Sequence, residues 1–256
     1  MSELTDDEWF ALKRALDAAR SGNGRPLRDE RRVVEGVVWR LRNSAKWRSL
    51  PERFGPWWRA AQLHIRWSHA GVWQRAFEHL RDAGHADLSE VFMDGTSIRA
   101  HQKAAGAKRG ALSQALGRSR GGYGTKAVVA CDANGLALAF ELLPGQASEL
   151  RAAPLLLAQV RSSGPIGRVA CDRAYSSIPW RRMIEEAGAE PCVPANRTHP
   201  PAAYDRATYR RRHKVENLWA RLKDVRAVAF RFEKTAASFS GALHLAAALD
   251  WLSDRP

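Results

Sequence analysis

The chain has 256 residues, 45% of them hydrophobic, with 41 Lys and Arg against 27 Asp and Glu, for a net charge of +14. That apolar content excludes a wholly disordered chain, and the length suits one mid-sized domain with a smaller one. The charge points to a polyanionic partner, nucleic acid before an anionic membrane surface.

Seven of the ten tryptophans fall within the first 73 residues, which sets off a small N-terminal unit over residues 1–84. LTDDEWFALKRALDAA opens a helix with Thr5 as N-cap and Glu8 three residues on, a capping box. SGNGRP (21–26) breaks it. Val33, Val34, Val37, Val38 and Leu41 recur at helical spacing. SAKWRSLPERFGP (44–56) reads as a turn with one short helix, and Trp57–His69 and Gly71–Arg81 as two more helices. The pattern then changes. LSEVFMD (88–94) reads as a strand, and the Gly-rich, basic stretch 103–122 as a loop. Thr125–Cys131 and Leu136–Leu143 are strands joined by Asp132-Ala133-Asn134-Gly135, whose Asn-Gly marks a hairpin. A helix opens at Ser148 and Glu149 and stops at Gly164-Pro165. A strand (166–171), a helix (178–188), a short strand (191–194) and two helices (207–226, 235–252) complete residues 85–256. A hairpin followed by strand–helix alternation predicts a mixed α/β sheet flanked by helices.

No apolar run approaches the roughly 18 residues that cross a bilayer, and MSELTDDEWF lacks the basic start and apolar core of a signal peptide. Cys131, Cys171 and Cys192 sit in apolar runs without C-x-x-C spacing, which predicts buried free thiols. A cytoplasmic protein is expected.

Two acids end apolar strands: Asp94 after Val91-Phe92-Met93, and Asp172 after Val169-Ala170-Cys171. In an open sheet, function collects at the carboxyl ends of strands, although either acid alone reads equally as a turn residue or helix cap. A third acid lies on YRRRHKVENLWARLK (209–223). At roughly 100° per residue, Tyr209, Arg212, Glu216 and Lys223 share a sector of about 60°, beside the core stripe of Val215, Leu218 and Leu222. Three carboxylates from two strands and a late helix suit metal-assisted phosphoryl transfer. Mg²⁺ takes oxygen ligands, and two ions about 3.5–4 Å apart can serve both the attacking and the leaving oxygen.

Other acids and motifs have plainer readings. Asp132 belongs to the hairpin turn. Glu185 and Glu186 sit beside Arg181 and Arg182 on a solvated face. GRSRGGYGTK ends Thr-Lys and precedes a strand, so it is not a nucleotide-binding loop. Its Arg118, Arg120 and Lys126 are candidates for DNA phosphates.

YRRRHKVENLWARLK resembles the Y-x2-R-x3-E-x6-K pattern of bacterial insertion-sequence DDE transposases, through Tyr209, Arg212, Glu216 and Lys223. VFMDGTSIRAHQ and ACDRAYSS resemble the segments that bear that family's two aspartates, Asp94 and Asp172. GRSRGGYGTK resembles the loop before its hairpin. LTDDEWFALK and the tryptophan-rich stretch through RWSHAGVW resemble the small domain preceding the catalytic one in the insertion-sequence-five group. Ser176 stands where many relatives carry a further Asp, and Arg173 where Lys is common.

The resemblance implies a ribonuclease-H-like fold and two divalent ions, Mg²⁺ or Mn²⁺, on Asp94, Asp172 and Glu216. It implies cleavage and strand transfer on double-stranded DNA, at terminal inverted repeats and a target site, by a homodimer or larger assembly. Residues 1–84 would bind the element ends through the 29–70 helices, with Arg48, Arg53, Arg59 and Arg66 as contacts. A ribonuclease-H-like nuclease without strand transfer, or a non-catalytic DNA-binding protein, would share many of these features.

Overall fold

The computed structural model describes residues 4–20, 27–105, 110, 112–197 and 203–253; the breaker at 21–26 lies outside them. In chain order, the helices α1 (Asp6–Ala19), α2 (Glu30–Asn43), α3 (Trp57–His69) and α4 (Val72–Ala83) precede the strand β1 (Glu90–Ala100). Then follow β2 (Gly117–Ser119), β3 (Gly122–Cys131), β4 (Ala137–Pro144), α5 (Ala153–Arg161), β5 (Arg168–Cys171), α6 (Ile178–Glu186) and β6 (Glu190–Cys192). The rest is α7 (Arg206–Arg211), α8 (His213–Asp224), α9 (Arg226–Ala229), β7 (Phe230–Arg231) and α10 (Ala236–Leu252). Two compact units divide the chain. One holds Met1–Gly84, Arg99–Gln114 and Arg221–Pro256, the other His85–Ile98 and Ala115–Ala220.

In the first unit the capping box forms as its spacing requires. The Thr5 hydroxyl accepts the Glu8 N–H (3.2 Å), and the Glu8 carboxylate accepts the Thr5 N–H (2.7 Å). Trp9, Leu12 and Leu16 of α1, the valines and Leu41 of α2, Leu63 of α3 and Trp73 of α4 share one core with Ala242, Leu245 and Leu249 of α10. α10 is apolar nearly all round, as a helix enclosed on every side must be. Gly241 lets it come close: a Cβ there would meet the Ser68 Oγ at 2.2 Å. The last residues of β1, Arg99 and Ala100, pair in parallel with Phe230 and Arg231 of β7.

In the second unit the strands follow the order β2-β3-β1-β5-β6, with β4 also on β3. β3 and β4 form the antiparallel hairpin, and β1, β5 and β6 run parallel. A hairpin beside a first strand that continues into parallel strands is the ribonuclease-H-like arrangement the resemblance implies. Val91 and Met93 of β1 pack with Leu156 and Leu157 of α5 and with Trp180 and Ile184 of α6. Because side chains alternate along a strand, Glu90 and Asp94 project to the other face, where they meet Arg211 and Arg212 of the α7–α8 connection. α8 packs there too: its Trp219 ring lies 6.2 Å from Phe140 of β4.

Several sequence expectations need correction. β1 runs on to Ala100 instead of ending at Asp94. The stretch 103–122 is not all loop: Gly117–Ser119 pairs antiparallel with Gly122–Gly124, joined by backbone bonds that no side-chain pattern announces. The 44–56 segment holds two single-turn 3-10 helices, Trp47–Ser49 and Glu52–Phe54, not one helix. The helix expected over 207–226 breaks at Arg212, where Arg212 N–H bonds Tyr209 O (3.2 Å) and Val215 N–H bonds Arg212 O (3.1 Å). These three-residue spacings tighten the turn and alter the phase that a uniform helix assigns to Tyr209. The three cysteines are free and buried, as expected.

Candidate active site at the ends of β1 and β5

Parallel pairing brings two acids together, one within β1 and one directly after β5. The β1–β5 register runs through Met93↔Cys171, so Asp94 and Asp172 are the next residues on neighbouring strands, which lie about 4.8 Å apart. The Asp172 carboxylate accepts the Ala174 N–H (2.8 Å) and caps the 3-10 turn Arg173–Tyr175. The capping role that Asp172 suggests when read alone is therefore real, and it leaves the second carboxylate oxygen clear of this bond.

The α7–α8 break supplies the third acid and a cation. Arg212 Nη1 donates to Asp94 Oδ1 (3.2 Å), and Arg212 Nη2 to Glu216 Oε1 (2.7 Å). One guanidinium thus bridges a strand-end acid and a helix acid one turn further on. Burial pushes the Asp94 carboxyl up to about 6; Arg212 pulls it down, while Glu149, Asp172 and Glu216 push it up further. Burial opposes the charge on Arg212, but Asp94, then Glu216, Tyr209 and Asp172 outweigh it and raise its pKa.

Glu149, which the sequence reading treated as a helix start, is a fourth acid at this place. Its carboxylate accepts the Tyr175 hydroxyl (3.2 Å) and pairs with the Lys126 ammonium (3.3 Å). A Cβ on Gly95 would meet its Cδ at 2.4 Å. The signal was present in the glycine directly after Asp94, which allows a close approach inside a strand.

Among the described residues, no group of three or more His, Cys, Asp and Glu stands ready to hold a metal ion, and Arg212 lies on two of the three expected ligands. The donor chemistry nevertheless fits a hard divalent ion. The ligands would be carboxylate oxygens, and Asp94 feels three further acids against one arginine, an excess of negative charge that a cation would relieve.

The remaining candidates are spread out. Tyr209, at the end of α7, has its ring 5.3 Å from that of Tyr204. Lys126 is on β3, within the strand expected over Thr125–Cys131, and pairs with Glu149. Arg118 and Arg120 are exposed, on β2 and the turn after it. Lys223 lies in the last turn of α8, among residues of the first unit. Asp132 sits at the hairpin turn, where its carboxylate accepts the N–H groups of Asp87, Asn134 and Leu136. In the first unit, Arg48 lies over the Trp57 ring (5.5 Å) and Arg53 over Phe54 (4.6 Å). Arg59 donates to Arg28 O (3.0 Å), and Arg66 is exposed.

Residues 85–251 match the family described as "Transposase DDE domain", and residues 4–77 the one described as "Putative transposase of IS4/5 family". The chain is 34% identical over 131 residues to "Putative transposase for insertion sequence element IS6501" of Brucella ovis, covering 50% of this chain and 98% of that protein. It is 34% identical over 106 residues to "Uncharacterized protein y4sN" of Sinorhizobium fredii, covering 41% of this chain and 83% of that protein. A solved structure, "Mos1 transposase paired-end complex with left transposon end", is 15% identical, with a TM-score of 0.28 over 91% of this chain and 80% of that one, a likeness too distant to carry an argument.

Proposed function

The chain belongs to the DDE transposase family of the IS4/IS5 type, and we propose that Asp94, Asp172 and Glu216 are the acids with which it cleaves and joins DNA at the ends of an insertion sequence. The observation that carries the assignment is the parallel pairing of β1 with β5. β1 and β5 set two acids side by side, and Arg212 draws the acid of α8 to the first of them. The family generally depends on divalent metal ions. Two Mg²⁺ or Mn²⁺ ions on these acids would supply Lewis acidity at the scissile phosphate. The chain's own residues do the rest. Arg212, once free of the carboxylates, offers a planar fork that suits a phosphate. Arg118 and Arg120 are exposed and offer charge to a DNA backbone, and Tyr209, Lys126 and Lys223 are the other residues assigned to DNA contact.

Residues 1–84 bind the terminal inverted repeats through the helices between 29 and 70, with Arg48, Arg53 and Arg66 exposed among the four arginines expected to make contacts. Cutting two ends together calls for a homodimer or a larger assembly on the DNA, acting in the cytoplasm on the nucleoid. No helix among the described residues is long and apolar enough to cross a membrane.

The test is a cleavage and joining assay with the full chain, Mg²⁺, a duplex carrying the element's ends and a target duplex. Asp94→Asn, Asp172→Asn and Glu216→Gln should each lose about 10²–10³-fold or more in rate, the scale of one lost charge-stabilising group, while still binding the end duplex. Cleavage without joining would make the protein a nuclease. A Glu216→Gln variant that cleaves normally would reduce the α8 row to a solvated face.

A further inference from the structure

Two side chains near the acids, Glu149 and Tyr175, have no part in the assignment above, and Glu149 also meets a third, Lys126. They come from three elements. Glu149 stands on the short turn after β4, Tyr175 closes the turn that Asp172 caps, and Lys126 is on β3. The Glu149 carboxylate binds both of the others. Its Cδ also occupies the space where any residue but glycine at 95 would put a Cβ, directly after Asp94. Tyr175 is fully buried, and burial drives its hydroxyl pKa far upward, so it serves as a neutral donor with its proton committed. That hydroxyl donates to the Glu149 carboxylate.

We propose that Glu149 is a positioning residue that sets the separation of Asp94 and Asp172. Its close approach to Gly95 fixes the part of β1 that carries Asp94. Its bond from Tyr175 fixes the turn that carries Asp172. Its ion pair with Lys126 holds the carboxylate between them. This rests on the assignment of Asp94 and Asp172 as metal-holding acids. Groups that orient metal ligands without touching the metal typically account for 10–100-fold in affinity or activity when removed.

The experiment uses the full chain without DNA and reads Mn²⁺ binding by electron paramagnetic resonance, with circular dichroism and the Tm as checks on folding. Wild type should bind Mn²⁺ and Asp94→Asn should not; if wild type binds none, the metal assignment fails and the positioning role with it. Given binding, Glu149→Ala should weaken Mn²⁺ affinity by about 10–100-fold. Tyr175→Phe, which changes no charge and removes one hydroxyl, should weaken it by about 10-fold. The double variant should be no weaker than Glu149→Ala, because both changes cut the same tie. In the cleavage assay the loss should fall on kcat, with the KM for DNA little changed. Three results overturn the proposal while leaving the metal assignment standing. In one, both single variants bind Mn²⁺ like wild type. In another, their effects are additive. In the last, Glu149→Ala abolishes binding as Asp94→Asn does while Tyr175→Phe has no effect, which would make Glu149 a ligand. If Glu149→Ala fails to fold, the Tyr175→Phe result decides: wild-type affinity there overturns the proposal.

Discussion

Two acids on one face of β1 are in opposite conditions. At the start of the strand, Glu90 is buried yet accepts Arg211 Nε (2.7 Å) and the Thr208 hydroxyl (2.6 Å). The hydrogen bond from Arg211 is the main reason its pKa lies below the usual carboxylate range. Asp132 alongside is fully buried and satisfied by three backbone N–H groups. Four residues on, within the strand and on the same face, Asp94 shares one arginine with Glu216 and is pushed up to about 6. Consecutive arginines, Arg211 and Arg212, serve the two acids. The first completes a structural acid, and the second is stretched between two acids. The contrast separates acids that hold the fold from acids kept short of partners, and such shortage is typical of functional sites.

The largest effect expected from this contrast is on chemistry alone. Glu216→Gln should cost about 10²–10³-fold in cleavage with little change in Tm, because its side chain is 57% exposed. Asp132→Ala should do the reverse. It strands buried N–H groups and should cost about 3 kcal/mol, or about 6–12 °C in Tm for a chain of this size, while the folded fraction cleaves at the normal rate. A loss of activity beyond the loss of fold would erase the distinction between the two kinds of acid.

Smaller changes follow at the two acids of β1. In chelator, Asp94→Asn should stabilise the protein at pH 7 by about 2 kcal/mol, or about 4–8 °C, seen by calorimetry. The folded pKa, about 6, lies above the ordinary value of 3.8. The native state therefore holds the extra proton, and stability is lost as pH rises from about 4 through about 6. Asp94→Asn should flatten that segment of the curve. The sign at Glu90 is opposite: its lowered pKa contributes stability above its ordinary value, which is lost as pH falls through the folded value. Glu90→Ala should cost about 1–2 kcal/mol, since Arg211 can turn to solvent. An Asp94→Asn variant less stable than wild type would show that Arg212 already meets the charge in full.

What the sequence made legible was local. Thr5 and Glu8 lie three apart, and the capping box follows from that spacing. Asn134-Gly135 specifies its turn, and Asp94 and Asp172 stand out because each ends an apolar run. What it hid depends on contacts between distant segments. Gly95 looked like the end of β1, but the strand continues and the glycine makes room for Glu149, 54 residues away in the chain. β2 is Gly117-Arg118-Ser119, with no apolar alternation to announce its pairing with Gly122–Gly124. The break at Arg212 cannot be seen in a periodicity that assumes an unbroken helix. Lys126 looked free because its partner is remote in sequence.

The core that α1–α4 share with α10 has a consequence for synthesis. Ala242, Leu245 and Leu249 complete that core, yet they leave the ribosome well over a hundred residues after the helices they cover. At about 5–20 residues per second, the amino-terminal helices wait on the order of 10 s with an apolar side uncovered. Throughout that interval the uncovered side is open to off-pathway association, and this unit closes only once α10 has emerged.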